Sequence, residues 1–281
     1  MTDGVVITGG GAVTALEDAE AALPETVRAR GARVERVTRL VLAAGGAALD
    51  AAGLAAMDGP ARPRVGVVVG TAFGCFLTND AYARRLDMGA AAASPRLFAA
   101  TVSNAAAGEL GIAYRLGGPA VTLTAGTVAG IAALGHASDM LRAGRADALV
   151  AGGADATGLG LSMWIAAGGF VRGAPPTDAA TFVVLETADA ARKRGASVAG
   201  TILGYALGFD DREDVAARAL ADAGVGPGDV ACSVRTASHM LAAGGPHALR
   251  GALANAPRGG VVLVVDACTS GHAAALVARA A

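Results

Sequence analysis

The stretch Gly118–Gly130, GPAVTLTAGTVAG, constrains this chain most. Val121, Leu123 and Ala125 alternate with Thr122 and Thr124, a period of two that predicts a strand. Small residues follow. Ile131, Leu134, Ala137, Ser138 and Leu141 then recur at helical spacing, and ALVAGGAD (148–155) closes with a second strand. A strand that enters a buried helix through a Gly/Ala/Thr turn holds one residue, Thr127, at the helix N-terminus. Free N–H groups and the positive end of the helix dipole favour an anion there, whether a nucleophile's or an acyl oxyanion. The geometry suits a nucleophile, yet the residue is a threonine, whose ordinary role at such a position is an N-cap.

The rest of the chain repeats this alternation. GVVITG (4–9), RVGVVVGTAF (64–73), TFVVLE (181–186) and GVVLVVDA (260–267) are short apolar runs that read as buried strands, with DVACSV (229–234) and AAALVARA (273–280) as further strand candidates. Helical spacing covers 33–53, 74–89, Ala105–Arg115, 187–196, Arg212–Ala223 and Met240–Ala254. Residues 156–180 read as Gly-rich and irregular. Two successive sets of parallel-type strands with interleaved helices predict a layered α/β fold of two similar halves, 1–190 and a shorter 191–281, forming one compact unit.

With 53% hydrophobic residues the 281-residue chain can bury a substantial core, and its 41 glycines suit close helix–strand packing. The net charge is −1, one lysine (Lys193) is present and no basic tract occurs, which argues against nucleic acid and anionic membranes as partners. Cys75, Cys232 and Cys268 are odd in number and far apart, which fits a reducing compartment and neither a disulfide framework nor a zinc site. The start MTDGVV lacks a basic n-region, and VVLVV is too short to span a bilayer. GGGA (9–12) lacks the rest of a dinucleotide fingerprint. The expectation is a cytoplasmic protein with no metal and no cofactor.

Six collinear motifs then carry a resemblance. VVITGGGAVTAL, RVERVTRLVLAAGGAALDAAGL, RVGVVVGTAFG, SPRLFAATVSNAAAGELGIAYRLGGPAVTL, LRAGRADALVAGGAD and SGHAAALV are similar, in order, to segments of the β-ketoacyl synthases of the thiolase fold. The resemblance places Thr127, in AGTVAG, where the family has its nucleophilic cysteine, and His239, in SHMLAAGG, at the family's second histidine. It finds no counterpart of the family's HGTGT histidine loop or of its lysine ahead of the second histidine. It sets CTSGH (268–272) on the phenylalanine gate GFGGH, with Thr269 at the second phenylalanine.

Claisen condensation needs a thiolate to carry the acyl chain and two histidines to assist decarboxylation. A threonine hydroxyl is a far poorer nucleophile, and losing groups that act as a unit removes most of the catalysis. The chain therefore resembles the chain length factor, or KSβ, of type II polyketide synthases, with some likeness to the highly reducing, polyene-forming systems. That implies no catalytic residue of its own, a heterodimer with an active ketosynthase (KSα), and contact with acyl carrier protein through the complex. By the same resemblance, Ala120, Val121, Thr122, Leu123 and Thr124 form an interface strand. Phe76, Asn79 and Ala83 line the polyketide tunnel, the small Ala83 leaving room for a longer chain. A second reading, from the residues alone, is an acyltransferase or thioesterase that uses Thr127 or Cys75. A third is a free-standing acyl-binding scaffold. His136 and His272 read as packed or capping residues, His247 as solvated, and Trp164 and Phe170 as partner contacts or local core.

Overall fold

The computed structural model describes residues 4–23, 25, 27–28, 34–55, 59–171, 174–209, 211–236 and 238–281. Of the positions used above, 1–3, Arg33, Arg172, Gly173 and Ala237 lie outside them. The first half runs β1 (Val5–Val13), α1 (Leu16–Ala22), α2 (Arg36–Ala51), β2 (Val65–Thr71), α3 (Phe76–Asp87), α4 (Pro95–Ala99), α5 (Ala105–Ala113), β3 (Ala120–Thr124), α6 (Ala129–Arg142), β4 (Ala148–Asp155), α7 (Gly158–Ala167) and β5 (Ala179–Thr187). After α8 (Ala188–Lys193) come β6 (Gly200–Phe209), α9 (Arg212–Ala223), β7 (Val230–Arg235), α10 (Gly244–Asn255), β8 (Val261–Ala267) and β9 (His272–Ala280).

Nine strands make one sheet in the order β3-β2-β4-β5-β1-β6-β9-β8-β7, within a thiolase-like α/β fold. Strand alternation divides the apolar side chains between layers. Val68 of β2, Val262 and Val264 of β8, and Ala274, Leu276 and Ala278 of β9 face a central core with α6 and α10. Val67 and Val69 face α2 on one outer side, whereas Val261, Leu263, Val265, Ala275 and Val277 face α9 on the other. At the centre the two inner helices nearly touch. A Cβ on Gly130 would lie 2.0 Å from the Ala242 carbonyl oxygen, and one on Gly245 would lie 2.5 Å from Ile131 Cγ1.

The second half retraces the first: β6, β9, β8 and β7 stand in the order of β1, β5, β4 and β2. Among the described residues nothing pairs beyond β7, so that strand and β3 are the two edges.

Two expectations change. Parallel pairing holds only for β3–β2–β4 and β7–β8, and the remaining pairs are antiparallel. Helices cover both faces of the central strands, so β2, β4, β5, β8 and β9 are buried along nearly their whole length whichever way they run, and the pattern carries no direction. Residues 156–180 are not irregular throughout, because α7 occupies Gly158–Ala167 with Leu161 and Ile165 buried. The glycines that suggested a loop, Gly158 and Gly160, fall in its first turn, where the penalty for glycine is least decisive. No helix among the described residues is long and apolar enough to cross a membrane.

Candidate functional site

The turn between β3 and α6 is built as the sequence predicts, with one difference. Gly126 takes φ +58, and α6 starts only at Ala129 with Val128 as its N-cap. Thr127 is therefore not the cap. Its hydroxyl is buried without a hydrogen-bond partner, the side chain 4% exposed. Thr127 forms part of the wall of a cavity of about 390 Å³.

Phe170 adds to that wall from the first half, and the remaining walls come from the second: Arg212 at the start of α9, Arg235 and Thr236 at the end of β7, and Asp266 and Cys268 at the end of β8. Asp266 is 3% exposed. Burial pushes its carboxyl up to about 6, against the opposing pull of Thr236, the Ala267 backbone and the Arg212 charge. Its Oδ2 has no hydrogen bond of good geometry. Buried polar atoms are almost always satisfied; Thr127 and Asp266, which line the cavity, each carry one that is not, shut off from its open space. Arg235 is held at 2.5 Å by Glu213, both exposed.

A second buried carboxylate supports this region from below. Asp155, at the end of β4, accepts hydrogen bonds from Thr71 Oγ1 (2.8 Å), the Ala72 and Phe73 N–H groups (3.0 and 2.9 Å) and the Ala242 N–H (3.1 Å). Burial raises its pKa and those donors oppose the rise. The staple fixes the turn 238–243, in which Leu241 has φ 48, against the ends of β2 and β4. Gly153 makes room for it, since a Cβ there would lie 1.9 Å from the Ala242 carbonyl oxygen.

His239 sits half-buried in the same turn, its carbonyl accepting the Thr177 N–H at 3.0 Å. It is not in the cavity wall, and no hydrogen bond joins it to Thr127. The exposed His247 has its pKa lowered by burial, then by Arg250 and His239. Cys75 ends the loop before α3, and its Sγ donates to the Thr101 carbonyl at 2.9 Å. Phe76, Asn79 and Ala83 share an exposed face of α3. Trp164 stacks between Phe76 (6.0 Å) and Phe170 (4.8 Å) on the surface. Thr269 Oγ1 donates to the Phe170 carbonyl at 2.9 Å, which ties the β8–β9 turn to that aromatic group. β3, carrying Ala120 to Thr124, is an exposed to half-buried edge.

Sequence reading missed Asp266, Arg212, Arg235 and Cys268 as members of one site. They come from three separate elements, and only the CTSGH spacing offered a signal.

Comparison with known proteins adds the following. The family description "Beta-ketoacyl synthase, N-terminal domain" matches residues 3–173. The 3-oxoacyl-[acyl-carrier-protein] synthase 2 of Vibrio cholerae is 31% identical over 193 residues, covering 60% of this chain and 45% of that protein. The oxytetracycline polyketide putative beta-ketoacyl synthase 1 of Streptomyces rimosus is 32% identical over 227 residues, covering 66% of this chain and 52% of that protein. The chain thus spans about half the length of these curated relatives. A solved structure described as the ishigamide ketosynthase/chain length factor superposes with a TM-score of 0.80 at 22% identity, covering 99% of both chains.

Proposed function

We propose that this chain, which belongs to the β-ketoacyl synthase family, is a chain length factor of a type II polyketide synthase. In this reading it pairs with a cysteine-bearing ketosynthase, helps shape the elongation tunnel, meets acyl carrier protein through the complex and does not condense by itself. The observation that carries the proposal is the state of the elbow: Thr127 occupies it, and the hydroxyl has no base to activate it. An unassisted threonine hydroxyl stays protonated at neutral pH and cannot hold the acyl chain for condensation.

The surface supports a partner. β3 presents one unpaired edge, which a folded protein needs to cover. Met88, Phe98, Ile112, Leu159, Met163 and Trp164 are all at least half exposed on the helices of the first half. Phe76, Asn79 and Ala83 are exposed on α3, so a tunnel along α3 requires a wall from the second subunit.

Co-expression with a cysteine-bearing ketosynthase tests the reading. The expected result is a 1:1 complex whose condensation rate is unchanged by Thr127→Ala, measured by product formation. Loss of condensation in that variant, or condensation by the isolated chain, overturns it. In the same complex Ala83→Phe narrows the tunnel wall and is expected to shorten the product, read by mass spectrometry. An unchanged product distribution removes Ala83 from the tunnel.

A further inference from the structure

The turn between β8 and β9 carries Cys268, Ser270 and His272 at alternate positions, and the three side chains form a chain of hydrogen bonds. Cys268 Sγ lies 2.7 Å from Ser270 Oγ, which lies 3.0 Å from His272 Nδ1. The backbone fixes this spacing: the Cys268 N–H donates to the His272 carbonyl at 2.9 Å, and Gly271, with φ +92, closes the turn. The edge of the His272 ring meets Phe209 at a centroid distance of 5.3 Å, which orients the imidazole.

Cys268 lines the cavity described above, together with Thr127, Arg212 and Asp266. It also lies against the elbow itself, since a Cβ on Gly126 would stand 3.1 Å from Cys268 Sγ. A thiol from the second half thus fills space beside the turn whose own residue is a threonine. The three cysteines are all half-buried, yet only this one has a histidine behind it among the described residues.

We propose that Cys268 is a nucleophilic thiol that accepts an acyl group by exchange with a thioester bound in this cavity. His272, with its proton on Nε2, takes the Ser270 hydroxyl proton at Nδ1 as Ser270 takes the thiol proton. The sulfur attacks the carbonyl carbon and a new C–S bond forms. A tetrahedral intermediate forms in the cavity lined by Thr127 and Arg212. Collapse breaks the old C–S bond, and the departing thiolate recovers the proton from His272 through Ser270. One thioester and one thiol become another thioester and another thiol, with no oxidant, water or second reactant. Exchange between sulfurs is close to thermoneutral, which makes thioesters the natural class of donor. Arg212, in the cavity wall, favours an anionic donor. This goes beyond the function proposed above, because it gives this chain a covalent role that does not depend on the partner's cysteine.

The test treats the purified full chain with acetyl coenzyme A, and in parallel with the neutral acetyl-N-acetylcysteamine, and maps adducts by mass spectrometry. The expected result is acetylation of Cys268 in preference to Cys75 and Cys232. In His272→Ala the rate should fall by about 100-fold, as for loss of a general base, with the melting temperature unchanged. Arg212→Ala should erase the preference for the anionic donor. Equal labelling of the three cysteines, no adduct at Cys268, or an undiminished rate in a folded His272→Ala overturns the proposal. Formation of the ketosynthase complex is read separately, so failure of either idea leaves the other standing.

Discussion

Asp155→Ala is expected to be the most destabilising single change in the chain. The carboxylate is fully buried and accepts from Thr71 Oγ1 and from the N–H groups of Ala72, Phe73 and Ala242. Alanine removes the acceptor and leaves four donors unmatched, those of Thr71 and Ala242 buried and those of Ala72 and Phe73 part-buried. At about 1–3 kcal/mol for each donor left unsatisfied, with some relaxation, the loss is about 4 kcal/mol. That is a large share of the ~5–15 kcal/mol that holds a typical domain together. The damage also has a direction. The Ala242 N–H is the donor from the turn 238–243, where Leu241 sits at a φ that favours glycine. Asp155 ties that turn to the sheet, so in the alanine variant the turn should loosen before the sheet does. Asp155→Asn keeps one acceptor oxygen but sets an NH₂ against N–H donors, and it should lose about half as much. Thermal unfolding followed by circular dichroism measures both variants. A melting temperature for Asp155→Ala within a few degrees of the parent chain would show that the staple is dispensable.

The elements of this fold were legible because each depends on local chemistry. Arg212–Ala223 reads as a helix from its apolar spacing, and the Asp211 side chain caps it by accepting the Glu213 and Asp214 N–H groups. The elbow at Gly126 was legible from small residues between two periodic runs, and the family followed from motifs in sequence order. Strand direction was not legible, since β5 and β9 are as evenly apolar as the parallel β2. The cavity was hidden for a different reason. Thr127, Arg212 and Asp266 are separated by long stretches of chain and meet only because the second half folds back over the first. Reading by resemblance also directed attention to positions 127 and 239, which the structure does not join. It assigned CTSGH to a lost gate, although its cysteine, serine and histidine are hydrogen-bonded to one another.

Asp266→Asn should do the opposite of Asp155→Ala and stabilise the chain at neutral pH. The carboxyl titrates at about 6 in the folded protein against an ordinary 3.8, chiefly because burial penalises its charge. A folded-state value raised above the unfolded one means that the native chain binds the proton more tightly. This group's contribution is therefore most favourable below pH ~4, declines as pH rises through the interval to about 6, and stays unfavourable above it. A shift of this size is about 3 kcal/mol, or roughly 5–10 °C in melting temperature for a chain of this length. Asparagine has nearly the same shape and carries no charge to desolvate, so it should recover that amount at pH 7.5 and nothing at pH 4. A gain that is equal at both pH values, or absent at pH 7.5, would mean that the ionised carboxylate is already compensated. Thr71 and three N–H groups oppose the same rise at Asp155, whereas Asp266 keeps one oxygen without such a donor. A carboxylate that costs stability in the folded chain, at the wall of a polar cavity, is what a ligand donating a hydrogen bond would relieve. The same asparagine variant should therefore weaken binding of such a ligand while it strengthens the fold.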